Sequence, residues 1–187
     1  DATAAAIRSL LDALEGAWNV KSDDDEGAHR GGGGGRGGGG GGGGLRGGSV
    51  YVGSCGAAML LYKLALVQRS IQGDPAIRDG GGAQPPAPLF GRSTEMLLRA
   101  ALGHCKSGLE AMMGDGRTKR VTFLEGEAGC HALSAAILAE MGKMDAAAAS
   151  VERLVAMRSR VAAMPPSECE VLYGRCGYLH ALLFARK

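Results

Sequence analysis

The chain has 187 residues, 45% of them hydrophobic and 4% aromatic, and its charges leave a net +2. That is the content of one globular domain, or part of one, and its apolar share rests on Ala, Leu and Met, which favours helix over sheet. So balanced a charge gives no electrostatic case for nucleic acid or anionic membrane as a partner. No run of about 18 apolar residues is present to span a bilayer. The chain starts at Asp1, and no basic-then-apolar leader follows it.

Residues 3–18 place Ile7, Leu10, Leu11, Leu14 and Trp18 on one face. That pattern predicts an amphipathic first helix, within a segment spanning residues 1–19. The next segment, 20–48, opens with the acidic run Asp23 to Glu26 and continues into Gly27–Gly48, where 16 of 22 residues are glycine. Such a stretch has little to bury against its ordering entropy, so disorder is expected. It carries three Arg-Gly-Gly triplets, at Arg30, Arg36 and Arg46, a pattern that can bind RNA without sequence preference. No Phe or Tyr is interleaved for base stacking, and the acidic run sits beside it, so a low-complexity insertion is the better reading.

A second helix is expected at about 54–71, apolar nearly all round and therefore buried. A Gly- and Pro-rich loop follows at 73–92. The third helix should start near Ser93, an N-cap residue, and run to about Met113. The fourth should stop at Gly142. The fifth should cover roughly 145–162, ahead of Pro165-Pro166. The sixth should still be running at Lys187.

Three segments repeat one pattern: Val50 to Leu61, Phe123 to Leu133, and Leu172 to Leu183. Each has a short apolar lead, then Gly-x-x-Gly, then a helix apolar on almost every side. Repetition of this kind marks a repeat architecture. Amphipathic helices alternate with the apolar ones, which reads as three αα-hairpins, each with an outer and an inner helix. The glycines have two expected roles. The first takes φ > 0 to turn the chain into the helix, and the second lets a neighbour approach closely. The helix starts would then meet at one mouth, a natural place for an anionic or polar ligand.

The third segment, Leu172-Tyr173-Gly174-Arg175-Cys176-Gly177-Tyr178-Leu179, resembles the Leu-Tyr-Gly-Arg-x-Gly-Tyr-Leu motif of eukaryotic lanthionine synthetase C-like (LanC-like) proteins. Thr122-Phe123-Leu124-Glu125-Gly126-Glu127-Ala128-Gly129 is similar to that family's Thr-Phe-Leu-x-Gly-x-Ala-Gly. Ser49 to Leu61 is similar to the start of its first inner helix. The resemblance covers most of 49–187 and implies an all-α fold, an α/α toroid of seven hairpins, of which about three are present here. It makes the chain an N-terminal part of such a protein, cut within an inner helix. It also implies zinc in the complete fold, and addition of glutathione to dehydroamino acids in a peptide or protein. The expected setting is cytoplasmic, with peripheral association at the plasma membrane left open.

The family's zinc ligands, two cysteines and a histidine, come from later hairpins, with a Cys-His pair directly before a glycine. Cys130-His131 instead follows the second glycine of its motif and is succeeded by Ala132. No metal role is therefore carried onto it, nor onto His104-Cys105, since neither shows zinc-ligand spacing. The five cysteines lack a C-x-x-C pair and are expected to be reduced core thiols.

Two further features bear on function. Glu125 and Glu127 flank Gly126 at a helix start, where carboxylates favour the helix dipole. As a pair they could instead do acid/base work on a glycosidic bond, a toroidal glycosidase being one alternative. Arg175 sits in the first turn of an inner helix, where a cation is unfavourable. Glu168 or Glu170 is expected to hold it, or else an anionic ligand or substrate in the lumen. A non-catalytic helical scaffold for a peptide or signalling partner is the remaining alternative.

Overall fold

The computed structural model describes residues 47–72, 88, 91–114 and 120–186, together with Ser9 and Asp12. The chain divides into two units, 1–45 and 46–187. In the first, Ser9 and Asp12 are helical and exposed, inside the predicted first helix. The remainder of that helix, the glycine-rich insertion through Arg46 and most of the 73–92 loop lie outside the described residues.

The second unit holds α1 (Ser54–Gln72), α2 (Thr94–Gly114), α3 (Glu127–Glu140), α4 (Met144–Ala156), the short α5 (Arg158–Ala162) and α6 (Arg175–Ala185). No strand occurs among the described residues. The fold class is all-α. α3 lies between α1 and α6, α2 packs on α1 and α3, and α4 packs on α3 and α6. The three helices introduced by Gly-x-x-Gly thus form one row, with α2 and α4 laid against it.

Local signals explain the boundaries. The Ser93 hydroxyl accepts the amide of Met96 at 3.2 Å and caps α2. α3 ends at Glu140, and Gly142 just beyond it takes a left-handed φ of +72°. The amides of Gly142 and Lys143 return to the carbonyls of Ala139 and Leu138, each at 2.9 Å, satisfying groups the helix end leaves open.

Two expectations need correction. The helix expected over 145–162 is interrupted at Met157. The Tyr178 hydroxyl donates to the carbonyl of Leu154 at 3.0 Å, and the amide of Met157 reaches the same oxygen at 3.2 Å. A side chain inserted into the hydrogen-bond ladder breaks it at that point. The second correction concerns α1, which is not buried all round. Leu60, Val67 and Ile71 form an exposed stripe, as Leu179 and Leu183 do on α6. α3, equally apolar, is covered along most of its length. The difference is position, since α1 and α6 are the edges of the row and have a row neighbour on one side only.

One core cluster among the described residues joins Val121, Phe123, Ala128, Ala132, Leu154, Met157, Tyr178 and Ala181, drawn from α3, α4, α6 and the turns before them. Phe123 stacks edge-on against His180 at 4.7 Å and lies 5.1 Å from Phe184. These contacts hold the turn before α3 against the length of α6.

Candidate functional site

The three Gly-x-x-Gly turns come together at one end of the row. Each is closed by the same bond, from the amide of the first glycine to the carbonyl four residues earlier: Gly53 to Ser49 at 3.0 Å, Gly126 to Thr122 at 3.1 Å, Gly174 to Glu170 at 3.0 Å. A Cβ on the first glycine would lie 2.6, 2.5 and 2.6 Å from the amide nitrogens of Ser49, Thr122 and Glu170. Gly126 and Gly174 have φ of −120° and −107°. The requirement is therefore absence of a Cβ, not the left-handed backbone expected from sequence. The second glycine behaves as expected: Gly129 faces its own Phe123 carbonyl and the Val50 side chain, and Gly177 faces the Val171 carbonyl and Thr122.

One further position recurs and escaped the sequence reading. Four residues before the first glycine stands a polar residue whose side chain caps the turn. The Ser49 hydroxyl accepts the amide of Val52 at 3.1 Å, and that of Thr122 accepts the amide of Glu125 at 3.4 Å. The Glu170 carboxylate accepts the amides of Leu172 at 3.1 Å and Tyr173 at 2.6 Å. The signal was present in the sequence, as Ser, Thr and Glu at matching registers. Their differing chemistry hid a shared role.

Successive turns are also tied to each other. The amide of Tyr51 donates to the Leu124 carbonyl, and that of Phe123 to the Gly177 carbonyl, both at 3.1 Å. Gly47 and Gly48 belong here too, although composition placed them in the insertion. The amide of Ser54 donates to Gly47 at 3.0 Å, and Gly48 is buried against Gly108 of α2.

Glu125 and Glu127 do not stand as a pair. Glu125 faces Arg120 at 3.4 Å, while Glu127 is bound by Arg160 from α5. Arg120 also lies over the Tyr173 ring, 4.4 Å from its centroid, joining the second turn to the third. Arg175 differs from its expected ion pair. Its guanidinium donates to the Met164 carbonyl, and its Nε is buried without a hydrogen-bond partner among the described residues. The Glu170 carboxylate is occupied with backbone amides instead. The Glu168 carbonyl accepts the backbone amide of Arg175, at 2.9 Å.

The cysteines also depart from expectation. Cys55 and Cys130 form a disulfide between the first turns of α1 and α3, with Cα atoms 5.9 Å apart. A residue separation of 75 hid the proximity. Cys105, Cys169 and Cys176 are free thiols, and burial pushes Cys105 up to about 12, with a Ser134 hydrogen bond opposing. His131 is buried, and burial lowers its pKa. Glu127 opposes that shift and Arg153 adds to it. Among the described residues no three His, Cys, Asp or Glu side chains converge to hold a metal. With Cys130 engaged by Cys55, the described residues do not offer a zinc ligand set.

A cavity of about 390 Å³ opens where the ends of α1 and α3 meet the start of α2. Arg69, Thr94, Glu95 and Glu140 line it, and Arg69 is bound to Glu140 across it. None of the residues singled out from sequence faces it. No helix among the described residues is long and apolar enough to cross a membrane. No protein-family model matches the chain.

Proposed function

We propose that this chain is part of a LanC-like protein, its row of Gly-x-x-Gly helices forming a segment of the inner wall of an α/α toroid. The observation that carries the reading is the equivalence of the three turns. They share one closing hydrogen bond, one capping position and one pair of crowded glycines, and each leans on the next. A unit repeated in this manner propagates by adding copies at its edges. The exposed apolar stripes of α1 and α6 lie at those edges.

The activity implied is addition of a thiol, glutathione, to a dehydroamino acid in a peptide or protein. In the complete fold zinc would lower the thiol pKa and present a thiolate. The residues present here do not fit that metal, so no step is routed through it. Their part is to shape one side of the mouth. Arg175 is the residue assigned to an anionic portion of the substrate, by way of its buried Nε, which has no hydrogen-bond partner among the described residues.

The test compares this chain with one extended through the later hairpins. Zinc content and thioether formation on a dehydroalanine peptide are measured on both. The extended chain should hold zinc and form thioether, and this chain should do neither. Tight zinc binding by residues 1–187, lost on Cys130→Ala or His131→Ala, would overturn the reading.

A second reading, a scaffold holding a peptide without catalysis, is favoured by one observation. Tyr51, Val52, Val171 and Tyr173 expose apolar surface on the first and third turns. An extended chain that binds the peptide yet forms no thioether would select it.

A further inference from the structure

We propose that Cys55 and Cys130 form a reversible thiol–disulfide exchange site that locks the first turn onto the second, with small thiols and small disulfides as its reagents. The inference stands on the geometry of the pair and does not depend on the functional reading above.

The two sulfurs join the starts of neighbouring helices in the row, and both residues are fully buried. Gly108 of α2 closes one side of the pair, where a Cβ would come within 2.6 Å of the Cys55 sulfur. On the other side the Gly48 carbonyl lies 3.2 Å from the Cys130 sulfur. That carbonyl gives the pair two satisfied states. In the disulfide it receives no proton from Cys130. After reduction the Cys130 thiol has an acceptor already in reach, which lowers the cost of opening the bond in the core.

The covalent bond matters because few contacts otherwise fix the spacing, chiefly the Val50 side chain against Gly129. The other backbone link between these two turns, among the described residues, is the single bond from Tyr51 to Leu124. Access follows from the same economy of contacts. Tyr51 and Val52, on the turn above the pair, are 66% and 63% exposed. Lifting that turn uncovers Val50 but leaves Tyr51 and Val52 as exposed as before, and admits a thiolate by local opening.

The exchange balances as follows. A thiolate of a small dithiol attacks one sulfur of the pair, forming a mixed disulfide and releasing one cysteine thiolate, which takes a proton from water. The second thiol of the reagent then closes onto the first, displacing the other cysteine as a thiolate that is protonated in turn. The protein disulfide has gained two electrons and two protons, and the reagent leaves as its cyclic disulfide. An oxidised reagent drives the same steps backwards.

The experiment uses the full chain with Cys169→Ser and Cys176→Ser, which removes the exposed thiols. It is equilibrated in graded ratios of reduced and oxidised dithiothreitol, then alkylated and weighed intact. The expected result is a smooth passage between linked and unlinked forms without denaturant, reversed when the ratio is reversed. The melting temperature should fall by about 10 °C in the unlinked form, since the crosslink closes a long loop. Adding Cys55→Ser and Cys130→Ser should give a single melting temperature in every buffer. Alkylation of both Cys55 and Cys130 at every ratio would overturn the proposal, as would a bond that opens only in denaturant that unfolds the chain. Because mass and melting are both read on a chain that retains the pair, a poorly folded quadruple variant does not remove the test.

Discussion

The hydroxyl of Thr122 donates to the carbonyl of Leu172 at 2.6 Å, bridging 50 residues and two successive turns. The same oxygen accepts the amide of Glu125, so one buried side chain closes its own turn and ties down the next. Gly177 presses against its Cβ from the other side. Thr122→Val keeps the shape and removes both bonds, leaving the Leu172 carbonyl without this partner. A loss of about 1–3 kcal/mol is expected in urea titration. Thr122→Ser should lose less, because it retains the hydroxyl.

The glycines divide into two kinds that mutagenesis can separate. Gly129 and Gly177 are crowded, so Gly129→Val or Gly177→Val should cost a few kcal/mol by forcing backbone apart. Gly142 is open, with nothing within 4 Å of an added Cβ, and its constraint is a positive φ alone. Gly142→Ala should therefore cost only about 1 kcal/mol. The exposed change Arg99→Lys, beside Glu95, should stay within about 0.5 kcal/mol. A silent Gly129→Val, read by thermal melting, would refute the close-packing account.

Stability should depend on pH through His131. Its folded-state pKa lies below the ordinary value of 6.5, so the unfolded chain binds more protons as pH falls. The stabilising contribution is complete above pH 6.5 and declines as pH drops from there toward the folded-state pKa. His131→Gln should flatten the urea midpoint across this window. An unchanged slope would mean that other groups carry it.

The exposed stripes on α1 and α6 should make the chain self-associate as concentration rises. Val67→Glu together with Leu183→Glu should suppress this in sedimentation velocity. Both side chains are about half exposed, so the folding free energy should move by no more than about 1 kcal/mol.

Arg175 offers a test of its own. Arg175→Met keeps the packing length and loses the bond to the Met164 carbonyl, at a cost of about 1–2 kcal/mol in thermal or urea unfolding. If the residue also meets substrate, the extended chain should lose peptide affinity beyond what the stability change explains.

Much of the candidate site could be read from the sequence. The glycine spacing placed all three turns, and the apolar runs placed the helices behind them. Arg175 was placed in the first turn of its helix, but one of its expected partners, the Glu170 carboxylate, is claimed by the backbone amides of the turn it caps. The capping set Ser49, Thr122 and Glu170 was visible only as three unlike residues, and its unity lies in the turn they close.

By itself the sequence determined that the described part of 49–187 is helical and where the helices after the three Gly-x-x-Gly turns begin, because periodicity and glycine spacing act within a few turns of chain. Tertiary structure alone decided three other matters. It set which apolar helices lie at the edges of the row, a property of neighbours and not of composition. It broke the helix at Met157 through a tyrosine hydroxyl 24 residues away. It joined Cys55 to Cys130 across 75 residues, because the two turns that carry them pack side by side.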